Sequence, residues 1–269
     1  MLGAIIGDIV GSIYEFANIK TKDFEFFQPE MERTDDSILC IATADWLLHG
    51  GEVSHYYSRY ALEYPYPMGG YGGMFKAWSS KVARQGIHEP YNSCGNGSAM
   101  RITPVGWAFE TEREVLAAAK VSASCTHNHR EGIKGAQATA LCIFLARQGH
   151  TASDIRARIE QDFGYDLSMS VKELQRRYSW QGIDGKGDGG ICQDSVPQAI
   201  ICALQAKDFE DAIRNAISIG GDSDTIGCIA GGIAEALYGI PESIKERAWK
   251  YLDETECRTV RSFIQKYSI

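Results

Sequence analysis

Proline is scarce in this chain, with 7 residues in 269, and strand-like runs of alternating Val, Ile, Thr and Tyr are nearly absent. The first shortage argues against an extended or disordered polymer, the second against a β-sandwich or barrel. Positive charge is also in deficit: 27 Lys+Arg face 35 Asp+Glu, a net charge of −8. A general nucleic-acid binder needs a basic footprint to displace counterions from phosphate, and a polybasic membrane-surface protein needs a similar one. The eight cysteines, at 40, 94, 125, 142, 192, 202, 228 and 257, form no CxxC pair. They read as reduced, mostly buried thiols of a cytoplasmic protein rather than a zinc site or a disulfide framework. Long apolar runs are missing too. Ile226 to Leu237 is about half a bilayer span and contains Glu235. Met1 to Gly11 lacks a basic n-region and carries Asp8 in its apolar stretch, so no secretory signal is read there.

Glycine, by contrast, is plentiful at 28 residues, and 44% of the chain is hydrophobic, enough for a sizeable core. Helical periodicity dominates. It predicts helices over Glu112–Ala123, Glu131–Gln148, Ser153–Phe163, Val171–Tyr178, Ser195–Ala206, Phe209–Ser218, Glu242–Asp253 and Glu254–Tyr267. Thr111 precedes an acidic first turn, Ser153-Asp154 opens another helix, and Pro197 is expected within a first turn, where its missing N–H does no damage. Loops are expected at 23–32, 64–73, 89–97 and 181–190. With no linker, fixed-period repeat or composition shift, the expectation is one all-α domain over residues 1–269, a monomer without membrane or general nucleic-acid partners. Gly3, Gly7 and Gly11 form an i, i+4, i+8 stripe, and Gly227 and Gly231 a second; both suggest helices in close approach. The GxGxxG and GxxxxGK[ST] phosphate-binding patterns are not met. Trp46, Trp107 and Trp249 read as core residues.

Two acidic motifs stand out: Thr34-Asp35-Asp36-Ser37 and Gly220-Gly221-Asp222-Ser223-Asp224-Thr225. Each places two carboxylates and flanking hydroxyls just before an apolar helical run. Either one alone is an ordinary helix cap, because unpaired N–H groups and the helix dipole stabilise acids there. Together they supply four carboxylates and hydroxyls, with only Arg33 nearby as a base. All-oxygen ligation selects hard cations such as Mg²⁺ or Mn²⁺, and four carboxylates suit a pair of ions about 3.5–4 Å apart. The sequence leaves open whether positions 35 and 222 meet in space.

These motifs carry a resemblance. GAIIGDIVGSIYEF at 3–16, TDDS at 34–37, GGYGG at 69–73, GNGSAMRITP at 95–104, THNH at 126–129, SVPQAI at 195–200 and GGDSDTIGCIAGGIAEALYG at 220–239 follow the order of the ADP-ribosylglycohydrolase family. The match covers nearly the whole chain. The resemblance implies a compact, orthogonal multi-helix bundle, in agreement with the helical periodicity. It also implies a binuclear Mg²⁺ or Mn²⁺ centre held by Thr34, Asp35, Asp36, Asp222, Asp224 and Thr225. Ser37 and Ser223 stand where many relatives have Thr, at positions that do not ligate. Glu15 matches a glutamate placed over the metals, able to act on the leaving group, a water or access to the site. Asp36 and Asp224 would serve catalysis as well as ligation. Gly70, Tyr71, Gly72, Gly97, Ser98 and His127 match the segments that hold ADP-ribose, with His129 one layer behind and Tyr91 a candidate to stack on adenine. The HxH pair has no third soft ligand at a zinc spacing.

The implied reaction is hydrolysis at ribose C1″ of an ADP-ribosylated acceptor: a protein side chain, O-acetyl-ADP-ribose or a nucleobase. Positive charge developing at C1″ would be stabilised by the carboxylates. Residues 65–87 contain no Asp or Glu, which weakens an arginine acceptor, since arginine-directed relatives place an acid near that loop. Two alternatives remain: a two-metal nucleotide phosphohydrolase and a non-catalytic ADP-ribose-binding relative.

Overall fold

The computed structural model describes residues 1–269. Its helices run in order α1 (Leu2–Gly11), α2 (Asp35–His49), α3 (Val53–Glu63), α4 (Gly73–Gln85), α5 (Gly97–Met100), α6 (Thr103–Ala108), α7 (Glu112–Ser124) and α8 (Arg130–Arg147). They continue with α9 (Ala152–Phe163), α10 (Val171–Arg177), α11 (Cys192–Leu204), α12 (Phe209–Ser218), α13 (Ser223–Tyr238), α14 (Glu242–Ala248) and α15 (Glu254–Tyr267). The only sheet is a two-residue antiparallel ribbon, β1 (Tyr178–Ser179) with β2 (Gly182–Ile183). The all-α expectation holds. No helix is long and apolar enough to cross a membrane.

Helices α1 and α13 form the spine, and every residue of α1 is buried. The two glycine stripes face each other: a Cβ on Gly7 would overlap the Gly227 carbonyl, and one on Gly3 the Gly231 carbonyl. Backbones therefore touch where side chains would separate them, so the stripes determine how closely the helices pack. One apolar cluster, with Ile5, Ile9, Tyr57, Phe209 and Phe263, gathers on one side of this spine. Another, with Ile143, Ile155, Ile200, Ile229 and Ile233, fills the other. Trp46, Trp107 and Trp249 pack against these clusters while staying partly exposed.

Several local expectations shift. The cap of α9 is Thr151, whose hydroxyl accepts from Asp154 N while the Asp154 carboxylate returns a bond to Thr151, so Ser153-Asp154 lies inside the first turn. Helix α11 starts at Cys192, which leaves Pro197 beyond the first turn. Its ring removes one backbone bond, to the Gln193 carbonyl. The helix expected over 242–253 ends at Ala248 and tightens into a 3₁₀ turn at Trp249–Tyr251. Helices α3 and α4, rich in Tyr, Ser and Lys, arise where periodicity singled out none.

Candidate active site

The spine sets the floor of a cavity of about 560 Å³, well within the usual range for a small-molecule site. Gly11, at the end of α1, abuts the backbone of Ser223 and Asp224 at the start of α13. The chain then turns through a 3₁₀ segment, Ser12–Tyr14, and delivers Glu15 beside the same helix end. Gly220 and Gly221 precede α13 with φ of +69° and +78°, a left-handed path that favours glycine. Asn18 ties this turn down, since its Nδ2 donates to the Gly221 carbonyl at 2.9 Å and its Oδ1 accepts from Gly221 N at 2.8 Å. Thr34 caps α2, accepting from Asp36 N at 3.2 Å. Two helix N-termini thus converge, each carrying acids where the dipole favours them.

Glu15, Asp35, Asp36, Asp222, Asp224 and Thr225 all line the cavity, so the two acidic motifs do meet. Oxygens of Glu15, Asp222 and Asp224 lie within 4.8 Å of one another, as do those of Asp8, Asp36 and Asp224. Burial, then mutual repulsion with Asp224 and Asp8, pushes the Glu15 carboxyl up to about 8. Burial raises Asp222 to about 6 and raises Asp35, Asp36 and Asp224 well above the usual carboxylate range. Asp36 Oδ2, Asp224 Oδ1 and Glu15 Oε2 are buried with no hydrogen-bond partner. Buried polar atoms are normally paired, and several unpaired carboxylate oxygens pointing to one volume match the demands of a hard divalent cation. The donor set therefore fits the cation that the sequence resemblance implies.

Thr34 is completely buried behind this floor, its hydroxyl donating to Asp8 Oδ1 at 2.7 Å. The opposite wall is the loop through Gly69, Gly70, Tyr71, Gly72 and Gly73. A parallel bridge from Thr34 to Met68 holds it in place, and Gly69 and Gly70 take φ of +75° and +79°. A Cβ on Gly70, Gly72 or Gly73 would meet nothing within 4 Å. Packing therefore does not demand glycine there, and the open backbone suits close approach of a ligand. Gly95, Asn96 and Gly97 complete the rim, and Asn96 Nδ2 donates to Asp222 Oδ2 at 2.7 Å. A Cβ on Gly97 would sit 3.2 Å from His127 Nε2, so bare backbone lets the imidazole reach the cavity.

Ser98 does not line the cavity; its hydroxyl turns to the Gly132 carbonyl at 2.7 Å. His129 caps α8, its Nδ1 accepting from Glu131 N at 3.1 Å. His127 is buried beside Thr126, whose hydroxyl accepts from Arg101 and lies 2.8 Å from His127 Nδ1. That contact engages Nδ1 and leaves Nε2 turned toward Gly97 and the cavity. Tyr91 meets His127 edge to face, with ring centres 5.7 Å apart, and continues an aromatic wall through Trp78, Phe75 and Tyr71.

Sequence reasoning missed three residues. Asp8 was legible only as a charge inside an apolar helix, and Asn96 lay unremarked inside GNGSAMRITP. Arg101 is the third. It is fully buried, stacks 4.0 Å over Tyr57, and leaves Nε and Nη1 unpartnered.

The helical scaffold thus sets an acidic floor against a bare glycine wall in one cleft. The chain belongs to the ADP-ribosylglycohydrolase family, whose model matches residues 1–267, and it is accordingly an enzyme of that hydrolase class. ADP-ribosylhydrolase ARH3 of Homo sapiens is 30% identical over 329 aligned positions, covering 95% of this chain and 89% of the human one. ADP-ribosylarginine hydrolase Tri1 of Pseudomonas putida is 26% identical, covering 93% and 73% respectively. A solved structure described as an ADP-ribosylglycohydrolase-related protein complex superposes with a TM-score of 0.68. At 24% identity, covering 100% of this chain and 97% of that one, it supports the fold.

Proposed function

We propose that this chain cleaves the C1″ glycosidic bond of an ADP-ribosylated acceptor, releasing ADP-ribose, with Thr34, Asp35, Asp36, Asp222, Asp224 and Thr225 holding two Mg²⁺ or Mn²⁺ ions. One observation carries this reading: unpaired, buried oxygens of Glu15, Asp36 and Asp224 open onto a cavity walled by bare glycine backbone. Polarisation of the ribose hydroxyls and of a water is the chemistry such ions supply when bound. The chain does the rest. Successive amides around Gly70 to Gly72, with the His127 Nε2 edge and the backbone at Gly97, face the pyrophosphate, and Tyr91 offers its ring to the adenine. The floor carboxylates stabilise positive charge as the C1″ bond lengthens. Glu15, between the Gly69 loop and Asp224, is placed to act on the leaving group. Water adds its oxygen to C1″, and its proton accompanies the departing acceptor.

The acceptor is best read as other than arginine, because the loop over Glu15 carries no acid to meet a guanidinium, although one relative is by its name an ADP-ribosylarginine hydrolase. Eight free thiols suit a reducing, cytoplasmic compartment. The deciding assay offers arginine-, serine-, acetyl- and nucleobase-linked ADP-ribose with Mg²⁺ or with EDTA. Free ADP-ribose in Mg²⁺ alone is expected. Release of AMP and ribose phosphate instead would assign a phosphohydrolase.

A further inference from the structure

We infer that Asp8 is a positioning residue that clamps the first turn of α2 and turns the Thr34 oxygen and the Asp36 carboxylate toward a divalent cation. The inference rests on the metal-binding part of the reading above. Asp8 sits within α1, wholly buried. Its Oδ2 accepts from Thr34 N at 3.0 Å, from Ser37 N at 3.1 Å and from the Ser37 hydroxyl, and its Oδ1 accepts from the Thr34 hydroxyl at 2.7 Å. All four donors are neutral, and they make a buried carboxylate tolerable without an ion pair.

The pattern has three consequences. Residues 34 and 37 bracket Asp35 and Asp36, so pinning both ends fixes the turn that carries the two carboxylates. The Thr34 hydroxyl has only one proton, and it goes to Asp8; one lone pair accepts from Asp36 N, which leaves the other available to a cation. Finally, α1 is locked to α13 by the glycine stripes. Asp8 therefore sets α2 in register with the helix that carries Asp222, Asp224 and Thr225. Although an Asp8 oxygen lies within 4.8 Å of oxygens of Asp36 and Asp224, both its oxygens are engaged by α2. Its place is behind a ligand, like the outer partners that orient metal-binding side chains.

Calorimetric titration of the full chain with Mn²⁺ tests this, with thermal melts in EDTA to establish folding. Asp8→Asn is expected to weaken Mn²⁺ binding about 10–100-fold, the usual effect of removing such an orienting partner. Thr34→Val should weaken it as well, and the double variant should be no worse than the stronger single change, since Asp8 acts through Thr34 and its turn. Should Asp8→Asn not fold, Ser37→Ala removes one clamp contact without touching a ligand and should lower affinity by roughly threefold or more. Mn²⁺ binding by folded Asp8→Asn within twofold of the unchanged chain would overturn the inference. So would strictly additive losses in the double variant, which would make Asp8 a direct ligand. ADP-ribose release plays no part in these measurements. Asp8-dependent Mn²⁺ binding without glycohydrolase activity would sink the proposed reaction alone, and no Mn²⁺ binding by the unchanged chain would sink both.

Discussion

Asp36 and Asp224 each keep one buried oxygen without a partner, and an unpaired carboxylate oxygen at a shared cavity calls for a bound species to use it. Changing either to Asn keeps the shape and removes the charge. If each contributes several kcal/mol of transition-state stabilisation through the bound ions, kcat should fall by at least about 10³-fold. ADP-ribose release at saturating Mg²⁺ measures it, and near-normal turnover by either variant would contradict the assignment. Glu15→Gln should lower kcat more than it weakens ADP-ribose binding; a change in KM alone would make the carboxylate a clamp. His127 has a different signature. Burial, aided by the Arg101 charge, holds its pKa well below the ordinary value of 6.5, so it is neutral when folded and takes a proton more readily when unfolded. Stability from this residue is thus complete above about pH 6.5 and is lost as pH falls below it. In EDTA, the Tm of the unchanged chain relative to that of His127→Gln should fall as pH is lowered from about 7.5 to about 5, whatever the acidic cluster does to both. Parallel curves would mean that His127 does not carry this dependence.

At the scale of elements, the contact of α1 with α13 decides whether the site exists, because it puts Glu15 and Asp8 beside Asp224. Gly7→Ala would drive a methyl group into the Gly227 carbonyl, and backbone cannot yield as a side-chain tip can. A loss of about 1–3 kcal/mol, read from urea unfolding, is expected; an unchanged midpoint would show that the helices can part at no cost. This contact was legible in the sequence, since glycine every fourth residue has few other uses on a buried helix. Both acidic helix starts were legible for a similar reason: adjacent acids and hydroxyls before an apolar run belong at an N-terminus. Less could be read where the determinant is not local. Asp8 is an ordinary helix residue until α2 is folded against it. Ser98 sits in a glycine-rich motif, yet its hydroxyl is claimed by Gly132. Pro197 looked like a first-turn residue because nothing in Cys192 to Asp194 announces that the helix begins there.

For the molecule as a whole, the net charge of −8 conceals an internal imbalance. Five carboxylates line the cavity, Glu15, Asp35, Asp36, Asp222 and Asp224, against one guanidinium, Arg101. Without cations, the raised pKa values mean that the folded state holds protons which the unfolded chain has already released. Stability from these groups is present at low pH and is lost as pH rises through their folded values, about 6 for Asp222 and about 8 for Glu15. On the proposed reading, divalent cations would bind the folded, ionised cluster and reverse that loss by mass action, stabilising by about 2.7 kcal/mol at a hundredfold excess over Kd. Melts in EDTA should therefore show Tm falling from pH 6 to pH 8.5, whereas melts in Mg²⁺ should be flatter, with the gap widening toward alkaline pH. Asp224→Asn should narrow the gap by weakening cation binding and removing one of the repelling charges. A Mg²⁺ effect equal at pH 6 and pH 8.5, or equal in Asp224→Asn, would locate the stabilisation away from the cluster and remove the electrostatic basis for the metal centre.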